Sequence, residues 1–76
     1  MTLQAAVETY QAFSRRSVVL EPLSSTPTSR QLEDAAEAAR TYGAAIVDAG
    51  DPDTGELLEE VGEALAVAAS EELGVA

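Results

Sequence analysis

Three segments of the chain carry apolar residues at helical spacing, and one does not. Leu3, Ala6, Val7, Tyr10 and Phe13 recur at intervals of three and four, the single stripe of an amphipathic helix. That spacing predicts a first helix over about 2–15. Thr2 can cap it, and Arg15 and Arg16 fall in its last turn, where cations complement the C-terminal dipole. Leu32, Ala35, Ala39, Tyr42, Ile46 and Ala49 form a second stripe and predict a helix over about 29–49. Thr28 and Gln31 supply a capping box for it, and Gly50 a stop. Leu57, Leu58, Val61, Ala64, Leu65, Ala68 and Ala69, closed by Leu73, predict a third helix over about 54–73. Asp53 is its expected cap, with Glu56 at N3. The short Asp51-Pro52-Asp53 connection makes the second and third helices an antiparallel hairpin.

The exception is SVVLEPLSSTPT, residues 17–28. Val18, Val19 and Leu20 favour extended backbone, and Pro22 biases Glu21 the same way. Ser24 to Thr28, with Pro27, reads as loop. A lone strand has no partner for its backbone groups, and the sequence offers no second strand. Three uses of the segment follow. It can pack beneath the second and third helices without a sheet, pair with a strand of another chain, or clasp a larger protein. The expected fold class is all-α: a single three-helix domain over 1–76, with a long extended connection between helices 1 and 2.

Composition turns this architecture toward association. A chain of 76 residues buries about 60–65% of its unfolded surface. Small domains often compensate with disulfides or a metal. This chain has no cysteine and no histidine, which excludes a disulfide framework and a structural zinc site. Fifteen residues are alanine, against one Phe, two Tyr and no Trp. Alanine contributes little beside the ~1.5–3 kcal/mol of a fully buried large aliphatic side chain. The remaining routes are self-association and docking onto a partner. The expected partner-binding positions are Arg15, Arg16, Val18, Val19, Leu20 and Leu23 in and before the connection, and Ala35, Ala39 and Gly43 in helix 2. The last three lie four apart, a ridge that lets another helix come close, although Gly43 inside a helix costs ~1 kcal/mol against alanine.

Charge narrows the partner. Residues 31–76 carry twelve of the fourteen acids against Arg40 alone, and the chain totals −10. Such a surface repels nucleic-acid phosphates and anionic headgroups, so direct nucleic-acid or membrane-surface binding is not expected. Lysine is absent; a GC-rich coding sequence or a high-salt cytoplasm would produce the same bias with no function attached. No apolar run reaches the ~18–20 residues of a membrane span, and the N-terminus lacks the basic and apolar regions of a secretory signal. A cytoplasmic setting is expected.

Candidate chemistry is sparse. In DAGDPDTGELLEE, Asp51 and Asp53 could take the first and third positions of a calcium loop. Glu56 then stands where that loop needs glycine, and Gly62 where it needs the bidentate glutamate, so helix capping is the better account. Glu56, Glu59, Glu60 and Glu63 fall off the Leu57/Val61/Leu65 stripe, as a solvated face does. With no His, Cys or Lys, the usual general base, thiol and amine nucleophile are missing.

Residues 6–39, AVETYQAFSRRSVVLEPLSSTPTSRQLEDAAEAA, resemble the opening of flavin-dependent nitroreductases. That family often begins with a helix, an Arg-Arg-Ser turn into an extended segment, and a Pro/Ser/Glu-x-x-Leu helix. The resemblance implies that Arg15, Arg16 and Ser17 would meet a flavin's phosphate and ribityl chain. It covers under half of the chain, and Val19 stands where the family usually has a basic residue. A full nitroreductase is also more than about twice this length.

The expected function is therefore non-catalytic and without a cofactor: a small acidic helical interaction or assembly protein, self-associating or an accessory subunit of a larger complex. The alternative is an acidic inhibitor that imitates nucleic-acid charge and blocks the basic groove of a nucleic-acid enzyme.

Overall fold

A computed structural model describes residues 1–16 and 20–72, and its order of elements is three helices. They are α1 (Leu3–Arg16), α2 (Ser29–Asp48) and α3 (Pro52–Glu72). Among the described residues there is no strand. The fold is all-α, with α2 and α3 packed closely as a hairpin and α1 laid chiefly against α3. The molecule is elongated, 40 × 22 × 17 Å, as a hairpin of two ~30 Å helices requires.

Each boundary has a local cause. The Thr2 hydroxyl accepts from the Ala5 amide at 3.2 Å and caps α1. Thr28 caps α2 with a complete capping box: its hydroxyl accepts from the Gln31 amide, and the Gln31 side chain accepts from the Thr28 amide. The Ser24 hydroxyl adds a further bond to the Gln31 carboxamide at 3.0 Å, tying the end of the connection to the same cap. At the far end of α2, the Asp51 amide donates to the Ile46 carbonyl and the Gly50 amide to the Val47 carbonyl. With Gly50 at φ +102°, this is a Schellman stop.

The start of α3 differs from the sequence expectation. The cap is Asp51, whose carboxylate accepts from the Thr54 amide at 3.3 Å, and not Asp53. Pro52 takes the first helical position, where its missing N–H is no loss, and Asp53 becomes a first-turn acid. The hairpin connection is thus Ala49-Gly50-Asp51. The end of α1 extends one residue past the expected boundary, and the expected contribution of Leu73 lies outside the described residues.

The core runs along the hairpin seam. Leu58, Val61 and Leu65 of α3 are fully buried against Leu32, Ala35, Ala36 and Ala39 of α2, and α1 adds Ala6 and Tyr10. The stripes are rotated slightly from their expected centres. Ala36 and Gly43 are buried whereas Ala49 is exposed, and Gly55 and Gly62 are buried while Leu57 faces outward. Glycine is the reason: a Cβ on Gly62 would lie 2.8 Å from the Ala36 carbonyl oxygen, and Gly43 and Gly55 meet backbone to backbone. The two helices approach along these small residues, so the seam follows the glycines and not the largest side chains. Among the described residues no buried side-chain nitrogen or oxygen lacks a hydrogen-bond partner.

Candidate interaction surface

The nine positions expected to meet a partner separate into three groups. Arg15 and Arg16 are exposed on the last turn of α1. Val18 and Val19 lie outside the described residues. The remaining five are engaged within the chain. Leu20 is 2% exposed and belongs to the core, and Leu23 is half-buried against it. Ala35, Ala39 and Gly43 are buried, and at Gly43 the neighbours are Gly55, Leu58 and Glu59 of α3. The small-residue ridge does admit a close helix, but that helix is α3 of the same chain. The reason is the hairpin, which folds the matching glycines of α3 back onto it.

Part of the connection is also bonded within the chain. Gln11 of α1 holds Leu23 by both backbone groups: its Nε2 donates to the Leu23 carbonyl at 2.8 Å, and its Oε1 accepts from the Leu23 amide at 3.0 Å. The Tyr10 hydroxyl donates to the Glu21 carbonyl at 2.6 Å. Two side chains of α1 therefore do for Glu21 and Leu23 what a neighbouring strand would do. Burial, and secondarily the charge of Glu21, push the Tyr10 phenol above its ordinary value of 10.0. Neither Gln11 nor Tyr10 was an expected functional residue. A polar Gln on a helix reads as solvated, and its partner is twelve positions away.

What stays open is a surface between α1 and α3. Met1, Leu3 and Val67 are each about half exposed, at 50%, 46% and 54%. They line one open groove of about 420 Å³ together with Ala64 and Ala68, and Glu60, Glu63 and Glu71 complete its lining. Among the described residues no basic side chain lines it. The helix spacing of Glu60, Ala64, Val67 and Glu71 explains the pairing of apolar floor and acidic rim: all four project from one side of α3, away from the hairpin seam. Another open surface, of about 430 Å³, lies on α2, where Ala38, Thr41, Tyr42 and Ala45 sit beside Asp34 and Glu37.

Leu3 was expected on the inner face of α1; its exposure is what gives the groove its second wall. The signal was present in Val67, a β-branched residue placed off the expected stripe of α3. Among the described residues no group of three or more carboxylates is placed to hold a metal ion, and no helix is long and apolar enough to cross a membrane. No family model matches the chain, and neither the curated proteins nor the solved structures compared with it yield a match.

Proposed function

We propose that this chain is a small non-catalytic interaction protein that docks another protein through the α1–α3 groove. The observation that carries this reading is the shared exposure of Leu3 and Val67 on one groove. Apolar side chains scattered singly need no explanation, but here the three most exposed large apolar side chains among the described residues, Met1, Leu3 and Val67, meet on one groove. The intrachain use of the Ala35/Ala39/Gly43 ridge and of Leu20 supports an accessory subunit over a self-assembling one, because the surfaces most suited to a second copy are already covered. A cytoplasmic setting fits a chain without cysteine.

The test is the size at which the protein migrates in a gentle extract of the cells that make it, set beside the purified chain by light scattering. Migration well above the purified mass, at low and at about molar salt, supports the reading. Migration at the purified mass in both conditions would end it.

A further inference from the structure

The α1–α3 groove, we infer, binds a basic amphipathic helix of a partner protein; the inference rests on the interaction reading and names the chemistry of the partner. Three observations carry it. The apolar part of the groove is built by Leu3, Ala64 and Val67, with the two large residues about half exposed. Among the described residues its rim holds Glu60, Glu63 and Glu71 and no basic side chain. The walls are helices, so no free strand edge is offered for an extended peptide to extend.

A trough between two helices takes side chains from one face of a third, at i, i+3, i+4 and i+7. The occupant's flanking positions would then face the glutamates. Lysine or arginine there is favoured twice, since the aliphatic stem covers apolar wall while the charged head reaches the rim. A second copy of this chain is a poor occupant. It carries the same net −10, and joining two such grooves sets carboxylates against carboxylates.

The experiment measures fluorescence anisotropy with a labelled synthetic helix of leucine and lysine, apolar on one face. Two controls accompany it: a peptide of the same composition with its positions scrambled, and the same pattern built from leucine and glutamate. The amphipathic basic helix is expected to bind at least about tenfold tighter than the scrambled one, with no binding of the glutamate version. Leu3→Glu and Val67→Glu should each weaken binding about fivefold or more. The double variant Glu60→Gln with Glu63→Gln should weaken it and flatten its salt dependence. Glu33→Gln, outside the groove, should change nothing. Val67→Ser serves in place of Val67→Glu if circular dichroism shows that the charged variant is unfolded.

Equal binding of the scrambled peptide would overturn the proposal in favour of general charge attraction, the behaviour of a nucleic-acid mimic. Full affinity in the Leu3 and Val67 variants would overturn it too, as would a dimer in light scattering that Val67→Glu dissolves. If the native complex in the extract persists in those variants, this groove and its occupant are wrong while the interaction reading stands. A chain that migrates alone removes both.

Discussion

Gly43 and Gly55 face each other across the hairpin with nothing between their backbones. A Cβ built on Gly43 would lie 2.7 Å from the Gly55 carbonyl oxygen, and one built on Gly55 would lie 2.5 Å from that of Gly43. Helix propensity alone favours alanine at either position by ~1 kcal/mol. Overpacking opposes it by ~1–3 kcal/mol, and backbone atoms on the far side leave little room to adjust. The packing term is expected to win. Gly43→Ala and Gly55→Ala should each destabilise the protein, Gly55→Ala more, since its added carbon also meets the Val47 side chain. Urea unfolding followed by circular dichroism reads the sign, and a stabilised alanine variant would contradict the seam.

Gly50 offers the opposite case. A Cβ there meets nothing within 4 Å, but φ is +102°. Gly50→Ala should therefore lose about 1–2 kcal/mol through backbone conformation alone. The same urea titration measures it. An unchanged midpoint would mean that the Schellman stop is not held in solution.

The clamp of Gln11 on Leu23 can be dissected by charge. Gln11→Ala removes both bonds and should cost about 1–2 kcal/mol. Gln11→Glu keeps an acceptor for the Leu23 amide but sets a carboxylate against the Leu23 carbonyl, so it should be destabilised at neutral pH. Protonation restores a donor. The gap to the wild type should narrow as pH falls through the ordinary glutamate range near about 4. A gap that does not change with pH would show that the carboxamide is not bonded at both ends.

Tyr10 predicts an alkaline limit. Its phenol is raised by burial and by Glu21, so the folded state holds the proton more tightly than the unfolded state. That contribution is complete below the ordinary value of 10.0 and is lost as pH rises through the higher folded-state value. The tyrosinate also cannot donate to the Glu21 carbonyl. Tyr10→Phe should lose about 0.5–1.5 kcal/mol at neutral pH and lack this alkaline limb. Tyrosinate absorbance in a Tyr42→Phe background isolates Tyr10. Titration of that phenol at or below its ordinary value would refute the buried bond.

The helices were legible because their apolar residues recur with the helical period and their ends carry Thr28, Gln31 and Gly50, whose chemistry is local. The rotation of the seam was not. The ridge ending at Gly43 was expected to admit a close helix, but hydrophobicity weights Leu57 above Gly55 and Gly62, the residues through which α3 makes that approach. The cap at Asp51 was missed because Asp53 fits the same box, and it was Pro52 at the first helical position that decided between them. The bonding of Glu21 and Leu23 to α1 could not be read. Nothing in the sequence near Leu23 announces that Gln11 will stand beside it, because that contact exists only after α1 has packed. The open groove has the same origin. Leu3 looks like core until the position of α1 leaves it at the edge.

The bonds from α1 to the connection also make one amide a gauge. The Leu23 N–H lies in neither helix hairpin nor turn, and its acceptor is a side chain of α1. Its hydrogen exchange can slow only while α1 is docked. Its protection thus reports the free energy of lifting α1, separately from the opening of the α2–α3 pair that protects the amides of the hairpin. Any partner that seats against Leu3 and Val67 would bridge α1 to α3, and the first place to register it would be this amide, whose acceptor belongs to α1.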